Sequence, residues 1–87
     1  MNTIYKYPLA PGYTTIQVPH NAKVLCAKVQ GSQPCLWVEL ERTMVTVERK
    51  FVTLGTGDLF NSKDYVYIDT VLLDNDMLVF HIYEVVR

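Results

Sequence analysis

Apolar and polar residues in this chain alternate or gather in short blocks. No eleven-residue window keeps apolar side chains at i, i+3, i+4 and i+7 without a β-branched run, Gly or Pro interrupting it. The blocks are rich in Val, Ile, Thr, Tyr and Phe, and Pro-Gly, His-Asn, Gly-Ser, Gly-Thr-Gly and Asp-Asn-Asp separate them. Those residues turn a chain by supplying positive φ, fixed φ or local hydrogen bonds. The pattern predicts strands over about 3–8, 14–18, 22–30, 34–41, 44–54, 65–73 and 77–86. Short strands at even spacing predict one all-β domain over 1–87, a small barrel or sandwich of about six to seven mostly antiparallel strands joined by hairpins.

Two hairpins carry enough pattern to set a register. A two-residue turn at Gly31-Ser32 puts Gln30 opposite Gln33, Lys28 opposite Cys35 and Cys26 opposite Trp37. Leu25, Ala27 and Val29 then share a core face with Leu36, Val38 and Leu40. Val24, Cys26, Lys28, Cys35, Trp37 and Glu39 take the other face, expected to be partly exposed. Cys26 and Cys35 become diagonal neighbours about 7–8 Å apart, too far for an unstrained disulfide. In the last hairpin a three-residue loop, Asp74-Asn75-Asp76, separates polar from apolar side chains better than a two-residue one, because Asn and Asp tolerate the left-handed conformation. Val66, Ile68, Leu72, Leu78, Phe80 and Ile82 then form the core face. Asp69 opposes His81 and Tyr67 opposes Tyr83 on the other, flanked by Val71 and Val79. A one-residue slip would exchange the two faces.

Composition changes this picture in two ways. Hydrophobic residues make up 49% of the chain, at the upper end of the globular range. A chain this short buries only roughly 60–65% of its unfolded surface. The surplus is expected between subunits, which predicts a homo-oligomer. The net charge is −1, with eight basic residues spread along the chain. No basic stripe is present to neutralise a run of phosphates, which argues against duplex nucleic acid; a small anion held by two or three cations stays open. No apolar run approaches the roughly 20 residues of a membrane-spanning helix. Met1-Asn2-Thr3-Ile4-Tyr5-Lys6 lacks a signal-peptide pattern. A cytoplasmic location and reduced thiols follow as expectations.

Among chemical candidates, the predicted Asp69–His81 pair is the sharpest. A carboxylate beside an imidazole can orient a general base, but the register puts no nucleophile or metal beside it, and a cross-strand hydrogen bond that fixes register is the plainer reading. Cys26, Cys35, His20 and His81 match no compact zinc spacing; no metal or cofactor is expected. Gly55-Thr56-Gly57 follows the longest strand and can bring amides and a hydroxyl to a phosphate. It is neither a P-loop nor a dinucleotide fingerprint, and it reads first as a tight turn leaving the sheet. Trp37 with Lys28, Lys6 between Tyr5 and Tyr7, and the pair Tyr67 and Tyr83 combine rings and cations as nucleobase recognition does. The same rings serve equally well as cover for their own sheets. Glu48, Arg49 and Lys50 read as a solvated strand segment. With no catalytic set in view, a non-enzymatic role is expected.

The blocks Ile4-Tyr5-Lys6-Tyr7-Pro8-Leu9, Val18-Pro19 leading to Ala22-Lys23-Val24-Leu25, Pro34-Cys35-Leu36-Trp37, Gly55-Thr56-Gly57 and Leu78-Val79-Phe80-His81-Ile82-Tyr83-Glu84 together resemble a family of short, functionally uncharacterised proteins found in bacteriophage and prophage genomes. The match runs almost end to end. Gly55-Thr56-Gly57 and His81 fall on its recurring blocks, whereas Lys28 and the Asp69 pairing lie outside them. The resemblance implies a viral protein acting in the cytoplasm of a bacterial host. Small phage proteins without catalytic residues commonly act by binding, and one such role is sequestering a nucleotide second messenger of host anti-phage defence in pockets between subunits. That is the leading expectation. The alternatives are a protein–protein inhibitor or accessory module covering a host protein, and a minor virion component.

Overall fold

Seven strands form in the computed structural model, which describes residues 1–86: β1 (Asn2–Pro8), β2 (Tyr13–Pro19), β3 (Lys23–Gln30), β4 (Gln33–Glu41), β5 (Thr46–Gly55), β6 (Tyr65–Leu73) and β7 (Leu78–Val85). Each bound falls within two residues of the one the hydrophobic pattern predicts. A 3-10 turn, Ser62–Asp64, leads into β6. The strands make two antiparallel sheets, ordered β1-β4-β3 and β2-β5-β7-β6. The sheets do not close into a barrel. They stack as a sandwich of 39 × 30 × 16 Å, a thickness that admits one pair of sheets about 10 Å apart. Between them lie Leu9, Ile16, Val18, Ala27, Leu36, Val38, Leu40, Phe51, Val71 and Ile82. Among the described residues no helix is long and apolar enough to cross a membrane.

The first hairpin keeps the predicted register from Gln30↔Gln33 through Lys28↔Cys35 to Cys26↔Trp37, with Gly31 at φ +64° in the turn. It then departs. A bulge at Leu25 sets Val24 opposite Val38, because a bulged residue reverses the alternation beyond it. Val24 therefore packs on the core, while Leu25 is 42% exposed; the expected placements of these two are exchanged. Cys35, expected on a partly exposed face, is buried, and Cys26 is half-buried. Both are free thiols.

The last hairpin turns through four residues rather than three. Leu73 opposes Leu78, Met77 N–H donates to Asp74 O at 3.0 Å, and Asp74, Asn75 and Asp76 all sit at positive φ (53°, 54°, 66°). The extra residue shifts the pairing by one. Thr70, not Asp69, opposes His81, and Asp69 opposes Ile82; a bulge at Ile68 then restores Tyr67↔Tyr83. The predicted Asp69–His81 pair does not form. Val71 enters the core at 3% exposure and Leu73 packs beside it, while Val66, Leu72 and Leu78, expected inside, are exposed.

Asp69 instead joins the sheets. Its Oδ2 accepts from Ala27 N–H of β3 at 3.2 Å and pairs with Lys28 Nζ at 3.0 Å, and its Oδ1 accepts from Thr70 N–H at 2.9 Å. β3 and β6 are edge strands of different sheets, so the carboxylate satisfies an edge amide that sheet pairing leaves over. Arg49 makes the second tie. Its guanidinium donates twice to Glu84, both at 2.7 Å, and once to Ala22 O at 2.7 Å in the turn between β2 and β3. Expected as part of a solvated segment, Arg49 is half-buried in the fork-to-fork geometry that suits guanidinium and carboxylate.

Removing one partner of the Arg49–Glu84 pair strands a charge with 15–23% of its side chain exposed. Arg49→Met or Glu84→Gln should each cost about 2–3 kcal/mol in urea unfolding, less than a fully buried pair would because water still reaches the site. The double variant Arg49→Met/Glu84→Leu should cost less than the sum of the two singles. A second expectation concerns acid. Burial alone would raise the Asp69 carboxyl, but Lys28 and the Thr70 and Ala27 amides outweigh burial and hold it below its ordinary value. A carboxyl depressed in the folded state contributes stability that is full above its unfolded pKa and is lost as pH falls through the folded one. Unfolding midpoints measured from about pH 6 to pH 2 should therefore fall less steeply in Asp69→Asn than in the parent. Parallel slopes would remove Asp69 from the acid response.

Candidate functional site

β7 lies between β5 and β6, so the chain leaving β5 must cross β7 to start β6. It leaves at Gly55, opposite Phe80, and re-enters at Tyr65, opposite Val85. Five residue steps along β7 amount to about 17 Å, and the connection covers them over the outer face of the four-stranded sheet. Its first turn closes on itself. Asp58 N–H donates to Gly55 O at 3.1 Å, Gly55 N–H donates to Asp58 Oδ2 at 2.7 Å, and Gly57 sits at φ +96°, a conformation open to a residue without Cβ. This is the tight exit turn predicted for Gly55-Thr56-Gly57.

Midway along the crossing, Phe60 lands on two rings of the sheet. Its centroid is 5.0 Å from Tyr83 (tilted, 56°) and 5.6 Å from Tyr65 (stacked, 26°), and Tyr83 meets Tyr67 edge-on at 5.4 Å. Tyr13 of β2 shares a hydrogen bond with Tyr65 through their hydroxyls at 3.0 Å, and Lys50 Nζ lies 5.4 Å from the Tyr13 ring centroid. Register runs Tyr13, Val52, Tyr83 and Tyr67 across the four strands in one row. Val52 alternates with core-facing Phe51 and so points outward, yet it is only 4% exposed. The outer face thus carries an aromatic cluster that buries Val52 and half-buries Tyr65 and Tyr83, while Tyr13, Tyr67 and Phe60 stay exposed at its edge.

At the open end of that loop a chain of hydrogen bonds links four polar side chains. Thr56 Oγ1 and His81 Nε2 are 2.9 Å apart, His81 Nδ1 and Thr70 Oγ1 3.1 Å, and Thr70 Oγ1 and Tyr67 Oη 2.7 Å. A neutral imidazole donates from one nitrogen and accepts at the other, so exchanging tautomers reverses the sense of the whole chain. Beside it lies a hollow of about 230 Å³ lined by Leu54, Gly55, Thr56, Gly57, Asp58, Phe60, His81 and Tyr83. Its lining combines two rings with hydrogen-bonding groups. The Gly55 amide, expected as a phosphate ligand, is already committed to the carboxylate of Asp58, so the turn carries its own anion and would repel another.

Of the residues singled out in the sequence, Gly55, Thr56, Gly57, His81 and Tyr83 converge here. Asp69 and Lys28 meet each other at the junction of the sheets. Tyr5, Lys6, Tyr7 and Trp37 belong to the other sheet, where Lys6 opposes Trp37 and donates to Gln30 Oε1. Tyr7 packs on the core, and burial, with Tyr5 beside it, raises its phenol above the ordinary value. Phe60, Thr70, Tyr65 and Tyr13 went unnoticed in the sequence, and Lys50 was read only as part of a solvated strand segment. Thr70 was hidden by the one-residue shift of register, and the others by a strand order that no local pattern encodes.

The chain belongs to the family described as a domain of unknown function (DUF7352), which it matches over residues 1–87. No curated protein and no solved structure matches it.

Thr56 is the link between the exit turn and the sheet. Thr56→Val should raise amide exchange at Gly57 and Asp58 by about 2–10-fold, the loss of one net hydrogen bond, while the amides of Val71 and Ile82 keep their protection. Equal acceleration across β6 and β7 would show instead that the substitution loosens the whole sheet.

Proposed function

We propose that this member of the DUF7352 family is a non-enzymatic binding protein of phage origin. It captures a nucleotide-like small molecule under its crossing loop and withholds it from a host defence system. The reading is carried by the Thr56–His81–Thr70–Tyr67 chain standing beside the Phe60 and Tyr83 rings. A heteroaromatic base needs a ring to stack on and edge groups that can donate or accept. Rotating hydroxyls and a tautomeric imidazole offer both. Lys50 shares this outer face, four strand positions from Leu54 and thus about 13 Å away, within reach of the phosphates of a nucleotide whose base sits at His81. Lys50 takes the role that the sequence suggested for the glycine amides. Binding without turnover is favoured because the Gly55 amide, the donor that would stabilise an oxyanion beside Thr56, is engaged by Asp58.

A second reading, inhibition of a host protein, draws on Leu59, which stands 98% exposed on the crossing loop next to Phe60. A large apolar side chain beside a ring cluster is the form of a protein-binding anchor. In that case Leu59→Asp should abolish recovery of one dominant host partner while nucleotide titrations stay silent.

The leading reading is tested by calorimetric titration with cyclic dinucleotides, cyclic trinucleotides and ADP-ribose, followed by mass spectrometry of the recovered ligand. One of these should bind and return with unchanged mass. Phe60→Ala and His81→Ala should each weaken binding by about 10–100-fold, the usual worth of a stacked ring or a hydrogen-bonded edge, and Trp37→Ala should leave it intact. No heat from any of the three classes, or an equal loss in Trp37→Ala, would sink the proposal.

A further inference from the structure

The opposite face of the same strands forms a second hollow. Side chains alternate along a strand, so Thr53 and Phe80 point into the sandwich where Leu54 and His81 point out. At that end of the sandwich, between the sheets, lies a hollow of about 270 Å³. Leu9, Pro11, Pro34, Leu73 and Phe80 give it apolar walls, and Ala10, Gly12, Ser32, Gln33 and Thr53 complete it.

This end is not frayed. The segment joining β1 to β2 is bonded to both sheets. Leu9 N–H donates to Pro34 O at 2.9 Å and Gln33 Nε2 donates to Leu9 O at 2.6 Å, on the side of β4. Thr53 N–H donates to Gly12 O at 2.9 Å and Thr53 Oγ1 donates to Ala10 O at 3.4 Å, on the side of β5. The walls are therefore held apart by hydrogen bonds, and Leu73 and Phe80 stay only partly buried although both pack on the core. Among the described residues no ionisable side chain lines the hollow. A charged guest would lose its hydration there with no counter-charge in return. The polar side chains in its lining, those of Ser32, Gln33 and Thr53, are all neutral.

From this geometry we propose that the open end of the sandwich is a second binding site, separate from the His81 hollow, for a neutral and largely apolar small molecule of about the size of indole. The volume lies just under the roughly 300 Å³ at which pockets begin to hold drug-sized ligands, which sets the size class. The apolar walls and uncharged lining set the chemistry. The site stands whether or not the outer face binds a nucleotide.

Indole and 4-phenylbutan-1-ol serve as neutral probes, with phenylacetate and phenethylammonium as charged comparisons of similar size, in a titration followed by amide chemical shifts. The neutral probes should produce saturable shifts at Leu9, Thr53, Leu73 and Phe80, and the charged ones should bind at least ten-fold more weakly. Ala10→Trp puts a bulky ring at an exposed lining position away from the core, so the fold is kept while the hollow is filled; it should abolish the shifts. His81→Ala should leave them unchanged. Shifts that do not saturate, that are equal for charged probes, that survive Ala10→Trp, or that centre on Thr56 and His81 would each overturn the assignment.

Discussion

The carboxylate of Asp69 holds the free edge of one sheet to the free edge of the other, and most of the molecule's arrangement follows from how it gets there. Asp69 reaches Ala27 and Lys28 only because β6 is out of step by one residue between its turn and Ile68. Had the hairpin kept the three-residue loop, Asp69 would have turned outward toward His81 and Val71 would have left the core. The four-residue turn is held in place by three consecutive left-handed residues that are Asp, Asn and Asp, types whose short polar side chains make that conformation accessible. The bulge at Ile68 absorbs the offset. An acid is well suited to the junction because one oxygen can serve a backbone amide and a lysine together, which a neutral amide would do with less strength.

Freed from Asp69, His81 finds hydroxyls on both sides instead of a carboxylate. That difference governs the chemistry available to it. An imidazole oriented by a carboxylate is a base held in one tautomer; an imidazole between Thr56 and Thr70 has two nearly equivalent hydrogen-bonding states. The first arrangement suits proton abstraction, the second adaptable recognition. The insertion of β7 between β5 and β6 supplies the rest, since it obliges the connecting chain to travel the length of β7 and brings Phe60 down on Tyr83 and Tyr65. Site and topology are thus one fact: the loop that must cross is the loop that makes the hollow.

Strand positions were legible because alternation and turn residues are local signals, and each strand here obeys them to within two residues. The Gly31-Ser32 hairpin was legible for the same reason as far as Cys26. What the pattern could not carry were the two bulges. Leu25 and Ile68 are apolar residues of ordinary strand type, and nothing in their neighbours marks either as the extra one. His81, Thr56, Tyr83 and the glycines were therefore legible, but the partner of His81 was not. The meeting of Lys28 with Asp69 left no local trace, because β3 and β6 are far apart in the chain and belong to different sheets. Phe60 lies in a stretch with no periodicity, and only the strand order gives it a role.

The high apolar content raised the expectation of a subunit interface, but it has a second destination within one chain. A sandwich 16 Å thick has a single internal layer, and its ten-residue cluster accounts for only part of the hydrophobic side chains. The crossing loop covers part of the outer face, where Val52, Tyr65 and Tyr83 are drawn in while Tyr13, Tyr67 and Phe60 stay partly open to solvent. The same strands then face apolar surroundings on both sides at β5 and β7. This is why Phe51 and Val52, consecutive residues of a strand at the surface of a small protein, are both nearly inaccessible to solvent. Strands covered on both faces lose the clean polar–apolar alternation, and β5, with Phe51-Val52, and β7, with Ile82-Tyr83, show that loss. The break in alternation was therefore the trace the covered face left in the sequence, and two of the rings gathered there, Phe60 and Tyr83, line the hollow beside His81.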